Sequence, residues 1–272
     1  MAGVDETLAE TPVDRFALKA AADAMAASNQ LPAAHQAPAN PANLSDSQNA
    51  VSFAPPNAVA TATQLSGEAS VRTAVSLVGG VSSVDELRQA LETFDGCALK
   101  KTATNLVFVD GDPKARVMLV GEAPGAEEDR QGVPFVGPSG HLLNKMLASI
   151  ELRREDVLIS NTVFWRPPGN RTPTPQETAI CMPFIERLIE LVDPDVLIPM
   201  GGPAAKSLLG EKMGIGKLRG RWFTYSAPKL ARPVAATPLF HPAYLLRTPG
   251  QKRAAWHDLL MVRKKLDEKS GD

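Results

Sequence analysis

Along the last two thirds of the chain, short apolar runs alternate with segments in which apolar residues recur every three or four positions. The runs Val117–Val120, Val157–Ile159, Val196–Met200 and Val234–Leu239 have strand length and little polar alternation, as strands covered on both faces do. Between them lie helical stripes. Val84, Leu87, Leu91 and Phe94 follow Ser83-Val84-Asp85-Glu86, which has capping-box spacing. Leu142, Leu143, Met146, Leu147 and Ile150 share one face of 139–150, and Ala255, Leu259, Val262 and Leu266 share one face of 251–268. Thr174-Pro175-Gln176-Glu177 is a second capping box with proline at the first helical position. Its helix should run towards Val192 with a kink or break at Pro183. A short helix is expected from Pro203 to Leu209. Strands alternating with helices predict an α/β fold, a three-layer α/β/α sandwich around a mostly parallel sheet.

The first 80 residues break this pattern. They are rich in Ala, Pro, Ser, Asn and Gln. Val13–Met25 can form one helix, but Leu31–Gly80 lacks sustained periodicity and carries Pro32, Pro38, Pro41, Pro55 and Pro56. Such a composition buries too little apolar surface to offset the entropy of ordering. Residues 1–80 therefore read as a mostly disordered tail of unknown partner, and 81–272 as one folded domain.

Charge and cysteines narrow the function classes. The net charge of −1 hides an acidic tail, with three basic residues (Arg15, Lys19, Arg72) against seven acidic ones in 1–80. The remaining 26 basic and 23 acidic residues are only mildly basic, so any nucleic-acid contact must be local. Cys97 and Cys181 are too few for a disulfide scaffold and suit a reducing cytosol. No apolar stretch approaches the roughly 18 residues of a membrane span, and Met1–Asp5 lacks the basic start of a secretory signal. A cytoplasmic monomer with no membrane partner is expected.

Three strand ends carry the chemistry: Gly121-Glu122-Ala123-Pro124-Gly125, Ser160-Asn161-Thr162 and His241-Pro242-Ala243-Tyr244-Leu245-Leu246-Arg247. In an open parallel sheet such ends converge on one crevice, bringing a carboxylate, an amide and an imidazole together. Gly-x-Gly-x-x-Gly and a Gly-Lys-Ser/Thr ending are both absent, which disfavours a dinucleotide or P-loop site. His35, His141 and His257 read as structural, and Glu127, Glu128 and Asp129 as a solvated acidic run.

The run Gly121-Glu122-Ala123-Pro124-Gly125-Ala126-Glu127-Glu128-Asp129-Arg130-Gln131-Gly132-Val133-Pro134-Phe135-Val136-Gly137 closely resembles the first motif of family 4 uracil-DNA glycosylases. Ser160–Thr162 through Arg166-Pro167-Pro168-Gly169-Asn170-Arg171-Thr172-Pro173 is similar to that family's second motif and proline-rich loop, and His241–Arg247 to its third. The likeness spans about Val81 to Lys265, with the motifs in family order. It implies excision of uracil from a nucleotide extruded out of DNA. On this likeness Asn161 reads the base through its amide, Phe135 stacks on it, and Glu128 matches a further position of the uracil site. Glu122 lies near the sugar, and His241 donates to the uracil O2 as negative charge gathers there. Leu245 is the expected wedge into the vacated stack. Gly125, Arg166, Pro167, Pro168, Arg171, Gly201, Gly202 and Arg247 are the expected DNA contacts, with Lys217, Arg219 and Arg221 as further candidates.

The likeness breaks at one place. Family 4 enzymes carry a [4Fe–4S] cluster on four cysteines, and the aligned positions here are Phe94, Cys97, Trp165 and Cys181. Neither a phenyl nor an indole ring ligates iron, so a variant with no cluster and no other cofactor is expected. The family branch that traps DNA covalently has a His-containing insertion after its second motif. Pro167–Pro173 holds no histidine, so turnover is expected. The alternative is a non-catalytic DNA- or nucleotide-binding module on the same fold.

Overall fold

In the computed structural model, residues 56–269 are described, with side chains from residue 67 onward. The expected helix at Val13–Met25 and most of the expected tail lie outside the described residues.

Six strands form one sheet in the order β1-β3-β2-β4-β6-β5. The central strands β3 (Leu158–Asn161), β2 (Val117–Gly121), β4 (Val196–Pro199) and β6 (Val234–Ala236) run parallel, with Gly121 opposite Asn161 in the register. The antiparallel edges β1 (Asp110–Gly111) and β5 (Phe223–Tyr225) were not expected from the sequence. An isolated parallel bridge between Met200 and Leu239 carries the β4–β6 pairing past the strand ends.

Alternation along the strands separates two cores. Met118, Val120, Leu158 and Leu197 belong to one hydrophobic cluster, and Val117, Leu119, Ile159, Val196 and Ile198 to the other. Both faces are therefore buried, which is why these strands read as continuous apolar runs. Over the first face lie α1 (Pro56–Gly79), α2 (Val84–Thr93) and α5 (Pro175–Val192). Over the second lie α4 (Pro138–Ala148), α8 (Pro242–Arg247) and α9 (Lys252–Glu268). The short helices α3 (Ala126–Gln131), α6 (Gly202–Leu209) and α7 (Ile215–Leu218) complete the three-layer arrangement. Among the described residues no helix is long and apolar enough to cross a membrane.

Capping marks both helix starts, but only one expected box closes. Ser83 Oγ accepts from the Glu86 amide at the head of α2 while the Glu86 carboxylate accepts from the Ser82 amide instead of Ser83, and the Thr174–Glu177 box closes reciprocally at the head of α5. Pro183 does not split α5: it is buried inside one helix of 18 residues. Packing of that helix against both α1 and α2 outweighs the one lost backbone bond.

A correction concerns the tail. The expected boundary at residue 80 is too late, because α1 packs along α5. Ala74 is fully buried and Val78 and Val81 nearly so, all within the first cluster. A Cβ on Gly67 would lie 1.9 Å from Gln176 Nε2 on α5. Two polar ties add to this, Lys229 Nζ to the Gly79 carbonyl at 3.0 Å and Arg187 to the Val81 carbonyl at 2.6 and 3.1 Å. Small residues on α1 bring it close to α5, and such packing leaves little trace in a hydrophobic pattern.

Candidate active site

The three expected strand ends meet. Glu122, Gly125, Glu128, Phe135, Asn161, Pro167, Arg171, Gly201, Gly202, His241 and Arg247 all line a cleft of about 640 Å³ at the carboxyl edge of the parallel strands. The backbone sets this up. After β2 the Glu122 carbonyl accepts from the Val163 amide at 3.0 Å and from Thr162 Oγ1 at 2.8 Å, so the β2 and β3 ends leave the sheet as a pair. Gly121 sits where they are tightest. A Cβ there would fall 2.3 Å from Asn161 Oδ1 and 2.8 Å from the Phe135 ring, so no larger residue lets amide and ring stand this close.

The polar groups of the cleft are held in definite states. His241 caps α8, and its Nδ1 accepts from the Ala243 amide at 3.1 Å. Burial, reinforced by the positive Arg247, lowers its pKa to about 4. The imidazole is thus neutral at physiological pH with its proton on Nε2, which leaves an N–H to offer a ligand. Burial pushes the Glu122 carboxyl in the opposite sense, above the ordinary glutamate range. Its buried Oε1 has no hydrogen-bond partner. Asn161 is 2% exposed and lines the cleft, its amide oxygen packed against Gly121 beside the Phe135 ring. Phe135 is held at φ 53°, a left-handed conformation that costs a non-glycine residue about 1–3 kcal/mol. Its ring stacks on the His241 ring at 5.3 Å between centroids, 29° from parallel.

Other expected site residues are placed differently. Glu128 is bound to backbone: Oε1 accepts from the Val136 and Gly137 amides and Oε2 from Gly125, each at 3.1 Å. Asp129 is not a solvated member of an acidic run but 4% exposed, accepting from the Thr104 and Asn105 amides at 2.8 and 3.1 Å. Leu245, the expected wedge, faces inward. It is 1% exposed in the second core cluster, whereas Leu246 is 42% exposed. On a helix of 3.6 residues per turn, Leu245 points away from the cleft-lining Ala243 and Arg247, and Leu246 flanks them. Arg166 and Pro168 do not line the cleft: Arg166 donates to Asn170 Oδ1 at 2.6 Å and lies 4.0 Å from Asp129. Arg171 lines it but is engaged by Glu177 through two bonds of 2.8 and 2.7 Å. Arg219 is paired with the buried Asp258 and covers the Phe240 ring.

The four aligned cluster positions all lie within the first core cluster. Phe94 packs on Phe184 at 5.0 Å between centroids, and Trp165 meets Phe164 edge-on at 6.3 Å. Cys97 and Cys181 are free thiols, fully buried in the same cluster. Two thiols and two aromatic rings do not fit a cluster that takes four thiolates. No third His, Cys, Asp or Glu joins them to make a metal-binding group among the described residues.

Comparison with known proteins agrees with this geometry. A family model described as the uracil DNA glycosylase superfamily matches residues 108–260. A type-4 uracil-DNA glycosylase of Thermotoga maritima is 44% identical over 152 residues, 56% of this chain and 77% of that protein. One of Archaeoglobus fulgidus is 39% identical over 173 residues, 62% of this chain and 86% of that protein. Another, of Saccharolobus solfataricus, is 37% identical over 191 residues, covering 68% and 85%. With a family match over more than half its length, relatives covered over 77–86% of theirs and the three strand-end segments on one cleft, the chain belongs to the uracil DNA glycosylase superfamily.

Proposed function

We infer that the protein is a uracil-DNA glycosylase: it takes deoxyuridine out of the DNA stack into this cleft and hydrolyses the N-glycosidic bond, leaving an abasic site. The observation that carries the reading is the meeting of Glu122, Asn161 and His241, from three distant strand ends, on one cleft. Uracil presents a donor at N3 and an acceptor at O4, which the Asn161 carbonyl and NH₂ complement; cytosine presents the reverse and is rejected. As the bond to C1′ lengthens, negative charge gathers on O2 of the leaving base. The His241 Nε2–H donates there without a proton having to be moved beforehand. Glu122 lies on the sugar side, where its carboxylate orients the attacking water and favours positive charge growing on the ribose. The water oxygen bonds to C1′, and its proton ends on the base.

The remaining contacts follow from the placement of each residue. Leu246, not Leu245, is the apolar group available to fill the vacated stack. Arg247 and the Gly202 amide are the phosphate contacts, since the Gly125 amide is taken by Glu128 and the Gly201 amide by the Leu239 carbonyl. Arg166 and Arg171 brace the 167–173 loop through Asn170 and Glu177. Packed aromatic rings at two cluster positions support function without iron or any other cofactor. The chain acts as a monomer, in a reducing compartment where Cys97 and Cys181 stay thiols.

The test is a duplex oligonucleotide with a single deoxyuridine, treated with alkali after incubation to cut at abasic sites. Cleavage at that position, with deoxycytidine and thymidine controls intact, is expected. An intact uracil strand at stoichiometric protein would leave the alternative, a binding module that has lost the chemistry.

A further inference from the structure

We propose that Arg154, outside all three strand-end segments, is a positioning residue that shapes the base site by clamping the loop that carries Phe135. Arg154 lies in a short 3₁₀ turn before β3, and its guanidinium is only 21% exposed. Its donors converge on this one loop: Nη2 to the Pro134 carbonyl at 2.6 Å and Nη1 to the Phe135 carbonyl at 2.9 Å. Asp110 on the edge strand pairs with Nε, and Asn144 Oδ1 on α4 accepts at 3.1 Å, so the guanidinium is itself fixed from two sides.

The other half of the clamp has the opposite charge. The next two residues, Val136 and Gly137, direct their amides to the Glu128 carboxylate. Four consecutive residues thus give their carbonyls to a cation and then their amides to an anion. Phe135 sits between the two, in the left-handed conformation that this reversal requires. The loop also presses on the start of α4, where a Cβ on Gly140 would lie 1.8 Å from the Phe135 carbonyl oxygen. Nothing in the Phe135 side chain favours this backbone, so charged hydrogen bonds at both ends are what hold it. The ring then stands against His241 and beside Asn161. Arg154 reaches the base only through Phe135, and the proposal rests on the reading of Phe135 as the stacking floor.

A double-mutant cycle separates positioning from general stability. Arg154→Met keeps the length and removes the donors. Single-turnover excision should fall roughly 10–100-fold, as a small misplacement of a site group can cost that much. In a Phe135→Ala background the same change should alter the rate less than about twofold, because the group it positions is gone. Amide exchange at Val136 and Gly137 should quicken in Arg154→Met. Arg154→Lys, which keeps the charge and loses the fork, should fall between, and replaces Arg154→Met in the cycle if that variant melts below the assay temperature. Equal fold-losses in both backgrounds, or an unchanged rate in the first, would overturn the proposal. If Phe135→Ala itself excises at the wild-type rate while exchange still responds to Arg154, the clamp is a loop device only. The positioning role is then overturned while uracil excision itself stands.

Discussion

The cleft and the aligned cluster positions lie on the same scaffold and have opposite chemistry. In the cleft, Glu122 keeps a buried oxygen without a partner, His241 offers an N–H into open space, and Phe135 holds a strained backbone. Around Phe94 and Trp165, the rings of Phe164 and Phe184 pack edge to face, and the two thiols are buried in the same cluster. One region leaves polar groups unmet, which costs stability; the other minimises that cost. Chemistry and cohesion are therefore separable here. Variants of the first region should change rate at little cost in stability, and variants of the second should do the reverse.

The largest effect is expected in the packed region. Phe94→Ala empties a site between α2 and α5 and should cost about 3–5 kcal/mol, as buried phenylalanines do, measured by denaturant unfolding. Below its melting temperature the variant should still excise at near the wild-type rate. A rate loss exceeding the stability loss would join the two regions and break the contrast.

His241→Ala should show the mirror image. By analogy with loss of one oxyanion-hole donor, the single-turnover rate should fall roughly 10²–10³-fold. At neutral pH the melting temperature should barely move. Unfolded histidine takes a proton near pH 6.5, whereas folded His241 refuses it until about 4, so native stability falls as pH drops across that window. The variant should lack this slope in a series of melts from pH 7 to 4.

Removing α1 should matter less, and removing what precedes it less still. A chain starting at Val81 should lose roughly 2 kcal/mol or more relative to one starting at Pro56, since one buried valine is worth about 1.5–3. If both truncated chains melt with the full-length protein, α1 is not part of the packed region.

The smallest effect is a displaced acid limb. In the proposed mechanism Glu122 acts as a carboxylate, and burial raises its pKa above that of an ordinary glutamate. The wild-type rate should fall with decreasing pH before His241 begins to titrate. Glu122→Gln should be slow at all pH values and lack that limb in a single-turnover pH profile.

Much of this was legible in the sequence for physical reasons. Strands buried on both faces cannot hide their apolar runs, and the Ser83 and Thr174 caps mark helix starts by hydrogen bonds that need particular side chains. The cleft residues sat at strand ends, where topology gathers them. What was missed has small or polar signatures. β1 and β5 are two and three residues long, and α1 packs through Gly67 and Ala74. Glu128 and Asp129 read as part of a solvated acidic run and Arg154 lies in no motif, because their partners are backbone groups of other segments. Leu245 is buried while its neighbour Leu246 is exposed, because the helical turn decides which of two adjacent leucines meets the core.

One measurement bears most directly on the central claim, that Asn161 and its neighbours excise uracil with no cluster. Protein purified without oxygen is assayed for iron, and the same preparation is tested beside Asn161→Ala for single-turnover uracil release and DNA affinity at one fixed salt concentration. The expected result is iron far below one atom per chain, uracil release by the wild type, and loss of release by the variant with its DNA affinity retained. Iron near four atoms per chain, or equal release by wild type and variant, would contradict it.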